Sequence, residues 1–93
     1  MENTITKEKL EKYFIVTKTA FEMIKKNIFK GKESSAKEII EMVSNYVSDA
    51  EHFQKKQNWV NAFAALNYAH GWIDAGVRLE IFDVDDDRLF TVK

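Results

Sequence analysis

Three observations predict an all-α fold, an antiparallel three-helix bundle with a short extended C-terminal tail. The chain has no proline and only three glycines in 93 residues, so few points interrupt a helix. Apolar residues recur in alternating steps of three and four along three successive segments, the seam spacing of packed helices. Two short breaks rich in lysine, glycine, glutamine and asparagine separate those segments. The reading is one domain over residues 1–93, with helices at about 6–29, 35–56 and 59–81 and a tail over 83–93.

The first helix carries Leu10, Phe14, Thr17, Phe21, Ile24 and Ile28 on its seam, with lysines at 7, 12, 18, 25 and 26 mostly off it. That lysine-rich side reads as a solvated face, because no interleaved arginine and aromatic residues of the nucleic-acid type accompany it. Gly31 supplies a position for positive φ that closes the helix, and Lys30 suits its C-terminal dipole. Ser35-Ala36-Lys37-Glu38 matches a capping box, which places the start of the second helix at Ser35. Its seam runs Ala36, Ile39, Val43, Tyr46, Ala50 and Phe53, flanked by Ile40 and Val47. Lys55 to Asn58 break the pattern, with Asn58 as N-cap of the third helix, so the second and third helices form a tight hairpin.

The third helix repeats the rule with Trp59, Ala62, Leu66, Ala69, Ile73 and Gly76. Phe63, Ala65, Tyr68, Trp72, Val77 and Leu79 widen its apolar arc to roughly 220°, well beyond the ~100° stripe of an ordinary surface helix. Such a helix is expected to touch both neighbours and something more, either the tail or a second subunit. Gly71 and Gly76 cost on the order of 1 kcal/mol each relative to alanine, which close packing or a ligand would offset. After Phe82 an acidic run, Asp83 to Asp87, precedes the β-leaning Arg88-Leu89-Phe90-Thr91-Val92-Lys93.

Composition narrows the function classes. Fourteen basic against fifteen acidic residues give a net charge of −1, so nothing pulls the chain as a whole toward nucleic acid or an anionic membrane. The absence of cysteine excludes disulfides, thiolate metal sites and cysteine catalysis. No signal-peptide core and no stretch approaching the ~20 apolar residues of a membrane span is present, so a soluble, cytoplasmic protein is expected.

The run YAHGWIDAGVRLEIFDV, preceded by AFAAL, resembles the signature of a small archaeal family termed domain of unknown function 357. The likeness covers roughly Val43 to Val92 and rests on Tyr68, Ala69, His70, Gly71, Trp72, Asp74, Ala75, Gly76, Arg78 and Leu79. It implies a compact helical domain of an archaeal cytoplasm and supplies no activity. A weaker likeness, to a single tetratricopeptide unit, rests on Ala50, Phe53, Trp59, Ala62, Leu66 and Ala69, with Gln57 at the usual glycine of the turn. One unit cannot build the concave groove of stacked repeats.

The strongest chemical constellation is His70, Asp74 and Arg78, spaced i, i+4, i+8 on the third helix, with Trp72, Tyr68, Asn67 and Gly71 adjoining. Structurally, the ladder would pair Asp74 with Arg78 or His70 and anchor an opposing charge on the second helix, such as Glu38 or Glu41. Functionally, His70, Trp72, Asp74 and Arg78 would form a pocket in which Arg78 clamps an anion and His70 or Asp74 moves a proton. His52 and His70 fall about 12 Å apart in the hairpin, too far to share an ion. Asp49 and His52 share a face but lack the extra glutamates of a di-iron site. Asp83, Asp85 and Asp87 imitate the start of a calcium loop, yet Arg88 stands where glycine is needed. No nucleophile elbow or phosphate-cradling loop occurs, and Trp59 and Trp72 read as core or interface residues. The expectation is therefore a non-enzymatic interaction or assembly module, a homodimer or a binder of another protein, with no cofactor, metal, nucleic acid or membrane partner. The alternative is a small-ligand or enzymatic site for an anionic or nucleotide-like metabolite on the third helix.

Overall fold

The computed structural model describes residues 5–85. Three helices form, α1 (Lys7–Lys26), α2 (Glu33–Lys55) and α3 (Trp59–Arg78). Tyr46 stacks on Tyr68 while Ile39 lies beside Gly76, so α2 and α3 run in opposite senses. Tyr13 meets Phe63 and Thr17 meets His70, so α1 runs alongside α3 in the same sense. Helix α3 packs on both neighbours, while α1 touches α2 little, so α3 is the organising element.

Most seam positions read from the sequence form the interior, while Phe21, Tyr46, Phe53 and Trp59 are half-buried at its edge and Ile28 lies beyond α1. Leu10, Phe14, Thr17 and Ile24 of α1 are buried, as are Ala36, Ile39, Val43 and Ala50 of α2 and Ala62, Leu66, Ala69, Ile73 and Gly76 of α3. They divide into two clusters. One surrounds Leu10, Phe14, Ala50 and Leu66, and the other joins Ile24, Val43, Ile73, Val77, Ile81 and Phe82.

Helix ends differ from expectation at three of six places. Helix α1 stops at Lys26 and not near 29. Asn27 turns its side-chain amide back onto the Met23 carbonyl at 2.7 Å, and the next residues take partners far away in sequence. Ile28 forms an antiparallel bridge with Phe82. The Phe29 N–H donates to the Ile81 carbonyl at 3.0 Å and the Asp83 N–H to the Asn27 carbonyl at 2.7 Å. Gly31, at φ +90°, turns the chain into α2 and does not close α1.

Helix α2 begins at Glu33 after Lys32, which gives no side-chain cap. The capping box at Ser35 does not form: Ser35 already lies inside α2, and the Glu33 carboxylate accepts the Gly31 N–H at 3.0 Å in the turn before the helix. Asn58 caps α3 as expected, its Oδ1 accepting from Asn61 N–H at 3.3 Å.

Helix α3 ends at Arg78 and not at 81. Its last turn closes when the Ile81 N–H reaches the Gly76 carbonyl and the Glu80 N–H reaches that of Val77. The end of α2 closes in the same way through Asn58 to Phe53 and Gln57 to Gln54. This is the double closure of a Schellman turn, which needs a left-handed residue just past the helix. Gln57 at φ 59° and Glu80 at φ 60° supply it in place of glycine. Gln57 thus adopts the conformation for which a tetratricopeptide turn uses glycine. Of the expected tail, residues 83–85 have no regular structure; the stretch 86–93, including Asp87 and Arg88, lies outside the described residues.

Candidate functional site

The wide apolar arc of α3 is covered on two sides and open on the third. Phe82 closes one gap. It is 1% exposed, and its ring lies over Gly76 so closely that a Cβ there would stand 2.6 Å from ring atom Cδ2. Along the opening, the exposed α3 residues are Val60, Asn61, Ala64, Asn67, Tyr68, Gly71, Trp72, Ala75 and Arg78, with Leu79 just beyond. Arg78 alone is charged. The exposed side of α1, by contrast, carries Lys7, Glu8, Lys9, Glu11, Lys12, Lys18, Glu22, Lys25 and Lys26 around one exposed large apolar residue, Ile15. Val60, Tyr68 and Leu79 are each more than 60% exposed and Trp72 is 39% exposed. Large apolar side chains gathered on one exposed face mark an interaction surface more often than a solvated one.

Among the hollows that adjoin this face, Trp72 lines two. A cleft of about 430 Å³ between α2 and α3 is lined by Ser35, Glu38, Ile39, Glu41, Met42, Asn45 and Trp72. A shallower hollow runs over Asn67, Tyr68, Gly71, Trp72 and Ala75. Gly71 forms its floor, and nothing lies within 4 Å of where a Cβ would be.

The four candidate residues do not converge on one pocket. At 100° per residue Trp72 stands about 200° from His70 around the helix. His70 faces α1, its ring stacked at 5.8 Å on Tyr13 and its Nδ1 3.4 Å from the Thr17 hydroxyl. Asp74 lies on the same side, near enough for its charge to act on Tyr13. Trp72 faces the α2 cleft, and Arg78 is exposed in the last turn of α3, where a cation suits the helix dipole. His70 and Asp74 therefore look toward α1, whereas Glu38 and Glu41, their expected partners on α2, line the cleft with Trp72. Those two carboxylates make that cleft a poor site for an anion.

The centre of the α1 side is Tyr13, which the sequence reading did not single out. Its ring is sandwiched between Phe63 at 4.9 Å and His70, and its hydroxyl donates to Asn67 Oδ1 at 2.8 Å. Phe63, Asn67 and His70 follow steps of four and three, so one α3 face presents all three to α1. A polar Thr17 on an otherwise apolar seam was the sequence signal for this contact. Burial and the Asp74 charge push the Tyr13 phenol above its ordinary 10.0. A raised value favours the neutral phenol in the folded state. Its contribution is complete below pH ~10 and is lost as pH rises through the raised value. Tyr13→Phe should therefore lose about 1 kcal/mol at pH 7 with the Asn67 hydrogen bond, and lose less than the parent above pH ~10. Urea unfolding followed at pH 7 and at stepped alkaline pH measures both.

Among the described residues no three histidine, aspartate or glutamate side chains gather closely enough to hold a metal ion, and no helix is long and apolar enough to cross a membrane.

The sequence profile of the family described as protein of unknown function DUF357 matches residues 12–82. The chain belongs to this family. The match takes in most of α1, which by itself carries no motif, and ends at the residue that bridges to Ile28. The matched span takes in most of α1, all of α2 and α3, and both residues of the Ile28–Phe82 bridge. No curated protein and no solved structure matches the chain.

Proposed function

We propose that this DUF357 chain is a non-enzymatic interaction or assembly module that docks through the exposed face of α3. One observation carries the reading. The helix that holds the fold together also presents to solvent a row of apolar and small residues whose only charge is Arg78. Tyr68 stacks on Tyr46 along one side only, and it and Leu79 both remain more than 60% exposed. Burial against a partner stabilises such surface, at about 25 cal/mol per Å² of apolar surface removed from water.

Sedimentation velocity over a wide concentration range tests the proposal, run on the parent and on a Tyr68→Ser/Trp72→Ser double variant. The parent is expected to associate as concentration rises, and the variant to stay monomeric with a cooperative melt of its own. The opposite result would be a parent monomeric throughout whose melting temperature is raised by a phosphorylated metabolite, with the rise abolished by His70→Ala and by Arg78→Ala. That outcome would place the function in a ligand site on α3 and remove the docking reading.

A further inference from the structure

We infer that the occupant of the α3 face is a second copy of the same chain, packed with its α3 antiparallel, so that Tyr68 of each copy meets Ala75 of the other and Trp72 seats over Gly71. The inference rests on the docking role of this face and adds its partner and register. In a two-fold antiparallel pair, residue i of one helix meets residue j of the other, and j meets i, with the sum of the two numbers constant. One register makes every large residue along the middle of the face oppose a small one. Tyr68 then faces Ala75, Trp72 faces Gly71, and Leu79 faces Ala64. Shifting the register by one residue sets Tyr68 against Asp74 or Gly76, of which Gly76 is buried beneath Phe82.

Space agrees with that register. Gly71, at the two-fold, has nothing within 4 Å of its missing Cβ, so an indole from another copy finds an open floor there. The α3 part of the face carries no charge between Val60 and Ala75, with Arg78 toward its end, while Glu38 and Glu41 stand on the adjoining α2 edge beside Trp72. Twenty residues make α3 about 30 Å long. With the adjoining edge of α2 at Met42 and Asn45 the face is about 20 Å across, or roughly 600 Å² per copy. A specific pair needs about 500 Å² per partner and a standard one about 800 Å², so a reversible dimer is expected.

The chain has no cysteine, so introduced thiols report on one contact at a time. Full-length Ala64→Cys/Leu79→Cys is expected to become a disulfide-linked dimer under mild oxidation. The two positions lie about 22 Å apart along one helix, out of reach of each other within a copy. Ala64→Cys alone should remain unlinked, since its own counterpart lies at the far end of the partner helix. Gly71→Leu fills the seat of the partner's indole while meeting open space in its own copy. It should weaken association at least ten-fold in sedimentation equilibrium and leave the melting temperature of the dilute protein unchanged or higher. Linking of Ala64→Cys alone, or undiminished association of Gly71→Leu, overturns the register while leaving the docking role of the face intact. A parent that stays monomeric at millimolar concentration overturns the second copy as occupant.

Discussion

Replacing Phe82 by alanine should cost about 3–5 kcal/mol, the usual range for deleting a fully buried aromatic side chain. Phe82 is the largest fully buried side chain of the described residues and packs with Ile39, Val77 and Ile81 in the larger core cluster. Its backbone also bridges to Ile28, so the ring anchors the segment that ties the end of α3 to the link between α1 and α2. A small domain holds only about 5–15 kcal/mol in total, so the loss is a large share of it. Each kcal/mol moves the melting temperature of a chain this size by about 4–8 °C, which puts the expected fall on the order of 15 °C or more. Urea unfolding by circular dichroism gives the number directly. A loss below about 1 kcal/mol would mean that the ring is not a core residue.

Gly76→Ala should destabilise by about 2 kcal/mol, although the same change in an open helix position stabilises by up to about 1 kcal/mol. The added methyl would stand 2.6 Å from Cδ2 of Phe82 and 3.2 Å from Cδ1 of Ile39. Forcing those side chains aside costs about 1–3 kcal/mol or more, which outweighs the gain in helix propensity. Gly71→Ala, five residues earlier, meets nothing and should gain stability. The comparison is made by denaturant unfolding at low concentration, where self-association does not contribute. Equal effects of the two substitutions would contradict the close seat of Phe82 on Gly76.

How much of this was legible in the sequence depends on the range of the interaction. The three helices, their seams and the Asn58 cap follow from local periodicity and local hydrogen bonding, and all appear where the spacing put them. The ends at Lys26 and Arg78 did not: the Phe29 N–H pairs with the Ile81 carbonyl and the Asp83 N–H with the Asn27 carbonyl across more than fifty residues, and α3 closes in a Schellman turn at Glu80, where no glycine marks it. No local rule contains that pairing. The start of α2 differs as well: the helix begins at Glu33 with no side-chain cap, so Ser35 lies within its first turn.

The candidate site divides along the same line. The i, i+4, i+8 ladder of His70, Asp74 and Arg78 is a property of one helix, and so is the excess of apolar surface on α3. Which neighbour each side faces is not. The packing of α1 set His70 and Asp74 against Tyr13 and Thr17, turned Trp72 toward the α2 cleft, and left Tyr68 and Leu79 uncovered.

The sequence by itself determined that the chain is three helices organised around the third, read at 59–81, because helical periodicity and the lack of proline act within a few residues. Only the tertiary structure decided that Phe82 closes one gap over Gly76 and that, among the described residues, nothing covers the face through Gly71. The physical reason is that coverage of a helix face depends on contacts between residues distant in the chain, which no spacing rule encodes.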